Sequence, residues 1–373
     1  MSTFPPHARV VTGEGTLTGT VVTEGDRIAG VEETAGEPSG WIVPGFIDTH
    51  THGGGGFSFT GGDPESARKA AAFHASRGTT SIMASLVSGS PEFLREATVG
   101  LKPLWEDGTI MGLHYEGPYI AASRKGAHDP EALRDPSVDE MRDLVGLGGG
   151  FVKMVTIAPE LDGAVETIEY LDGAGIVVAI GHTDATWEQA LAGVDAGAKV
   201  ATHLCNAMRP FNHRDPGPIP LLLDDERVIC EVIADPVHLH HGTMEFIFDA
   251  GLPTWTHLVS DAMDAAGLAD GTYMLGTLEV DVVDGTARTK DGAIAGSTIT
   301  MLDAFQNAVR LSGQTVESAV AMTAEVPAET FGLADAGIIE PGRRADLVVL
   351  DDDLELRGVM RGGEWVPTAG GES

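Results

Sequence analysis

Eight short apolar runs, spaced by helical patterns and polar loops, constrain this chain more than any other feature. They are "WIVPGFID" (41–48), "TTSIMASLV" (79–87), "TIMGLHYEG" (109–117), "FVKMVTIAP" (151–159), "GIVVAIGH" (175–182), "AKVATHL" (198–204), "RVICEVIAD" (227–235) and "THLVSDAM" (256–263). Runs this continuous describe strands covered on both faces, the pattern of parallel pairing. Caps mark the helices between them. Asp63-Pro64 and Ser90-Pro91 each put a capping side chain before a proline at the first helical position. Ser137-x-x-Glu140 and Thr186-x-x-Gln189 have the spacing of capping boxes. The order predicts an α/β fold, a (β/α)8 TIM-like barrel over residues 44–334, whose site lies at the C-terminal strand ends. An open doubly wound sheet would carry GxGxxG after its first strand, and the Gly53–Gly56 run lacks it.

The ends of the chain read differently. Residues 1–43 and 335–373 hold short strand-like pieces such as "ARVVTG", "TGTVVTEGDRIAGVEE", "ADLVVLD" and "GVMRGGEWV", broken by Gly and Asp. They predict a small β-sandwich domain built from both termini. Against 23 Lys and Arg stand 56 Asp and Glu, a net charge of −33, which argues against nucleic acid or an anionic membrane as partner. An anionic substrate would need a local exception to that field. Two cysteines, Cys205 and Cys230, make no disulfide framework. The start lacks the pattern of a signal peptide, and no apolar run reaches about 18 residues. A cytoplasmic location is expected.

The polar residues that matter fall where the strands give out. His50 and His52 follow the first strand, and residues two apart in extended chain face the same side. Glu116 closes the third strand, His182 the fifth, His203 the sixth and Asp261 the eighth. Each alone reads as a hydrogen-bonded rim residue. Together, on one rim, four imidazoles and two carboxylates favour a divalent metal, with donors suited to Zn, Fe, Co or Mn.

The chain resembles the amidohydrolase superfamily and, within it, the branch that deacetylates N-acetylglucosamine 6-phosphate. The likeness rests on "PGFIDTHTHG", "GLHYEGPYI", "GAHDP", "GHTDAT", "THLCNAMRPFNHRDPG", "IADPVHLH", "LVSDAM" and "IAGSTITM", in that order, and on the ending "PGRRADLVVLD". It implies one metal site of Glu116, His182 and His203, and a second that adds His50 and His52. It implies an acid/base role for Asp261, also a metal ligand, and a catalytic contact of His128 near the amide. Asn206, Ala207, Arg214, His238 and a backbone segment at Ala295 match groups that hold the sugar phosphate. The arginine is expected to reach the neighbouring active site, which makes a homodimer functional. Pro236 departs from the glycine that relatives usually carry there, which removes an N–H.

Superfamily members acting on cyclic amides use a carboxylated lysine at the end of strand four. Here that strand ends "TIAPE" and Lys153 lies near its start, so Glu116 is expected to bridge instead. Two rival readings share the site: an enzyme for the galacto epimer, and a barrel that has lost catalysis and serves binding or assembly. Intact ligand positions weigh against the second.

Overall fold

The computed structural model describes residues 4–251 and 253–367. Its centre is an eight-stranded sheet of β1 (Phe46–Asp48), β2 (Thr79–Leu86), β3 (Gly112–Glu116), β4 (Val152–Ile157), β5 (Val177–Ile180), β6 (Val200–Ala201), β7 (Ile229–Ile233) and β8 (Thr256–Val259), paired in chain order. All of these pairings are parallel. The seam between β1 and β8 carries no ladder among the described residues and is closed by isolated bonds, of side chain and of backbone. Buried Asp48 accepts the Ser260 hydroxyl and, at 3.2 Å, the Ser260 N–H, while the Asp261 N–H donates to the His50 carbonyl at 2.8 Å. Burial raises the Asp48 pKa to about 6, and the Ser260 bonds limit that rise.

One expected strand divides in two. In "WIVPGFID", Trp41–Pro44 pairs with Ala8–Thr12 and Leu347–Leu350 in a separate sheet, and only Phe46–Asp48 enters the barrel. Gly45 makes the crossing: its N–H donates to the Asp346 carbonyl at 2.9 Å, and a Cβ there would lie 2.2 Å from Thr80 Oγ1. An apolar run has no mark for a change of sheet, whereas tight backbone approach at a glycine does.

The terminal segments meet in one seven-stranded sheet. It packs Val10, Val21, Ile28, Ile42, Leu347 and Met360 into a core distinct from that of the barrel. Residues 1–3 and 368–373 of the expected domain lie outside the described residues. A second addition, not anticipated, follows β8: an antiparallel sheet of Gly271–Leu275, Leu278–Val283 and Thr286–Thr289. Its core joins Leu275, Val280, Val282 and Ala287 to Val87, Ala127 and Met263, so it is seated against the barrel rim.

The caps behave as their chemistry dictates, with one difference. Asp63 and Ser90 cap helices beginning at Pro64 and Pro91, and Thr186 with Gln189 forms a complete capping box. Ser137 accepts the Glu140 N–H, but Glu140 is drawn away by Arg134 and the Tyr119 hydroxyl. A charged partner outcompetes a backbone amide. No helix among the described residues is long and apolar enough to cross a membrane.

Candidate active site

The four glycines after His52 have a defined task. Gly53–Gly54 pairs with Phe57–Ser58, and the two-residue loop between them, Gly55 (φ 63°) and Gly56 (φ 87°), needs positive φ at both positions. The hairpin turns the chain back at once, while the His52 N–H is tied to the Ala262 carbonyl at 2.8 Å. Three further site residues, His182 (φ 47°), His203 (φ 29°) and Asp261 (φ 47°), also leave their strands through left-handed backbone. For non-glycine residues this costs roughly 1 kcal/mol or more each. Such strain persists where surrounding structure fixes it, and it collects at sites of function.

These bends bring six buried side chains into two adjoining groups, His50 with His52 and Asp261, and Glu116 with His182 and His203. Within each group the donor atoms lie within 4.8 Å of one another. Glu116 stands between the groups. Its Oε1 is 2.9 Å from His182 Nε2 and 3.1 Å from His203 Nε2, while its Oε2 is 3.0 Å from His52 Nε2. Asp261 Oδ1 lies 3.2 Å from His52 Nε2 and 3.5 Å from His50 Nε2. Lys153 takes no part; its ammonium lies over the Trp105 ring.

The outer ring nitrogens are fixed from behind. His52 Nδ1 faces the Ser85 carbonyl at 3.2 Å and His182 Nδ1 the Arg124 carbonyl at 2.9 Å. A nitrogen that donates to a carbonyl leaves the opposite nitrogen as a lone pair. His50 Nε2 is buried with no hydrogen-bond partner, and its neighbours Glu116 and Asp261 are carboxylates. A lone pair facing two carboxylates is repulsive unless positive charge lies between them.

The ionisation of the site expresses the same demand. Burial pushes the His50 and His52 pKa values down, yet the facing carboxylates more than reverse this, lifting His50 well above its usual value and His52 to about 9. Burial would raise Glu116 and Asp261, yet the imidazoles hold both below the usual carboxylate range. The nitrogen and oxygen donors therefore fit a divalent cation.

A cavity of about 320 Å³ opens beside this centre, lined by His52, Glu116, His182, His203 and Asp261, and also by His128, Asn206, Ala207 and His238. It is of the size that holds small molecules. The Ser88 N–H donates to His128 Nδ1 at 3.1 Å, so a neutral His128 carries its proton on Nε2, 3.4 Å from Glu116 Oε2. Burial lowers its pKa to about 4 against the pull of Glu116.

His238 is held by Asp235, whose Oδ1 accepts the N–H groups of Val237 (2.8 Å) and His238 (2.7 Å) and whose Oδ2 lies 2.9 Å from His238 Nδ1. Pro236 thus occupies the turn position whose N–H Asp235 does not use.

Two expected contacts lie apart from this cavity. Ala295 is buried and its N–H is spent on the Ala287 carbonyl at 3.0 Å, while Ala293, Ile294 and Gly296 line the wall. Arg214 is exposed, with its guanidinium 2.9 Å from His213 Nε2. Asp215, its neighbour in sequence, pairs with Arg209 instead. Asn206 keeps a turn-forming role, donating to the carbonyls of His203 and Leu204.

Sequence reasoning passed over Glu231, fully buried in β7 and 3.1 Å from His50 Nδ1. A charge inside an otherwise apolar strand was the available signal.

A barrel rim with these donors beside a cavity defines a metal-dependent hydrolase of the (β/α)8 class. The profile of the amidohydrolase family matches residues 41–366, and the chain belongs to that family. It is 32% identical to N-acetylglucosamine-6-phosphate deacetylase of Lysinibacillus sphaericus, covering 90% of this chain and 87% of that protein. It is 34% identical to N-acetylgalactosamine-6-phosphate deacetylase of Escherichia coli, covering 87% of each. The fold matches, with TM-score 0.94 and 42% identity, a Mycobacterium smegmatis N-acetyl-D-glucosamine-6-phosphate deacetylase variant in complex with N-acetyl-D-glucosamine-6-phosphate, covering 97% of this chain and 98% of that one.

Proposed function

We propose that this chain hydrolyses N-acetyl-D-glucosamine 6-phosphate to D-glucosamine 6-phosphate and acetate, in amino-sugar catabolism or recycling. The observation that carries the reading is one cavity wall shared by five of the six donors, His52, Glu116, His182, His203 and Asp261, and by His128, Asn206, Ala207 and His238. Glu116, His182 and His203 would hold one divalent cation, and His50, His52 and Asp261 a second, with zinc the first choice and Fe, Co or Mn the alternatives. When bound, such a cation supplies Lewis acidity, which lowers the pKa of water and polarises a carbonyl.

The chain's own groups do the rest. Asp261 accepts a proton from the attacking water and delivers it to the amine nitrogen as the carbon–nitrogen bond breaks. His128 donates from Nε2 to the carbonyl oxygen as that oxygen gains charge. His238, with Asn206 and Ala207, holds the sugar phosphate so that the amide meets Asp261. Burial disfavours a charged His238, but Asp235 outweighs it and raises the pKa, which suits an anion.

Arg214, exposed on its loop, is assigned to the active site of a second copy in a homodimer. Two free cysteines accord with a reducing, cytoplasmic compartment. The named likeness to an N-acetylgalactosamine-6-phosphate deacetylase favours one second reading, activity on the galacto epimer. Acetate release from both epimers, with and without the 6-phosphate, tests the proposal. Fastest turnover of the phosphorylated gluco sugar is expected, and preference for the galacto sugar would replace it with the second reading.

A further inference from the structure

We infer that Glu231 is the positioning residue on which a second cation in this site depends. The inference rests on the metal-dependent reading above.

Among the four histidines of the centre, His50 alone has a carboxylate behind it: Glu231 Oε2 lies 3.1 Å from His50 Nδ1. His52 and His182 are backed by neutral carbonyls, of Ser85 and Arg124, and His203 Nδ1 has no hydrogen-bond partner. A carboxylate at Nδ1 fixes the proton there, presents the Nε2 lone pair and makes the ring a stronger donor. Nε2 is the buried, partnerless atom that faces Glu116 and Asp261.

Glu231 reaches the other group as well. Its Oε2 accepts the His203 N–H at 3.3 Å and its carbonyl accepts the Leu204 N–H at 2.8 Å. Its Oε1 has no hydrogen-bond partner, with His257 Nε2 3.5 Å away. One buried carboxylate thus sets a ring in the His50 group and the backbone of a ligand in the Glu116 group. Charge points the same way. Two divalent cations would bring four positive charges to a buried site where Glu116 and Asp261 supply two negative ones, and Glu231 adds a third.

The test is metal content after dialysis and stepwise zinc affinity by chelator competition, on the full-length protein. The wild type is expected to hold two equivalents. Glu231→Gln, of equal size but neutral, is expected to hold one, with the weaker affinity reduced about 10- to 100-fold and the stronger one changed less. Glu231→Asp, which restores the charge, is expected to fall between them. A merely structural role would lower the melting temperature of Glu231→Gln while leaving both affinities as in the wild type, and that result would overturn the inference. A wild type holding one equivalent overturns it too, yet leaves the deacetylase reading standing. A wild type that binds no metal sinks the reading itself. If the variants do not fold, nitrogen NMR of histidine-labelled, zinc-loaded wild type decides. His50 protonated at Nδ1 is expected, and His50 protonated at Nε2 refutes the inference.

Discussion

Asp261→Asn separates chemistry from architecture. Asparagine has nearly the same volume, leaves the backbone bond from residue 261 to the His50 carbonyl in place, and retains one oxygen to face His52. It removes the group that takes and returns the proton. Positioned acid–base catalysis contributes about 10²–10⁴, and here one carboxylate performs both transfers. It also helps to set the charge facing His50 and His52. A fall in kcat of about 10⁴ is therefore expected, or about 5.4 kcal/mol at about 1.36 kcal/mol per decade. The assay is steady-state acetate release from the phosphorylated substrate, with metal content and melting temperature measured on the same preparation. Turnover within tenfold of wild type at equal metal content would refute the role of Asp261. A loss that follows lost metal would refute the separation of its two parts.

Other outcomes follow from the same geometry. Arg214→Ala should raise KM for the 6-phosphorylated sugar far more than for the unphosphorylated one; equal changes would remove the phosphate contact. Chelation should lower the melting temperature, because a ligand at about 100 times its Kd adds about 2.7 kcal/mol to the folded state. A melting curve unchanged by chelation and by zinc would contradict a site that binds metal in the folded state. His74 is buried, and burial lowers its pKa to about 4 against the opposing bond to the Gly53 carbonyl. The unfolded chain therefore binds its proton first, so this contribution is present above about pH 6.5 and lost as pH falls toward 4. By pH 5 the loss is on the order of 2 kcal/mol. Denaturant unfolding at pH 7 and pH 5 should show a larger loss in wild type than in His74→Gln, and an equal loss would refute the assignment.

What could be read in advance divides by range along the chain. The caps at Asp63, Ser90 and Thr186 are local chemistry, and they stand where their spacing put them. The six donors were visible because each follows an apolar strand, and barrel topology gathers strand ends on one rim. The three-stranded insertion was not anticipated, although its signals stand in the sequence. "LEVDVV" alternates, and Asp284-Gly285 is a strong hairpin signal, realised as positive φ at both residues between paired Val283 and Thr286.

Other features need contacts that no local pattern encodes. The bond from Ser260 to Asp48 closes the barrel across 212 positions of sequence. Glu231 meets His50 across 181 positions. The cavity wall at Ala293, Ile294 and Gly296 depends on how the inserted sheet seats against the rim. The proposed engagement of Arg214 with a second copy would be a matter of assembly, beyond any single strand or helix.

Anomalous diffraction from crystals grown with zinc, recorded above and below the zinc edge, tests directly whether these side chains hold metal. A strong peak bonded to Glu116, His182 and His203 is expected, with a second at His50, His52 and Asp261. Zinc bound only elsewhere, with those side chains empty at saturating metal, would contradict that expectation.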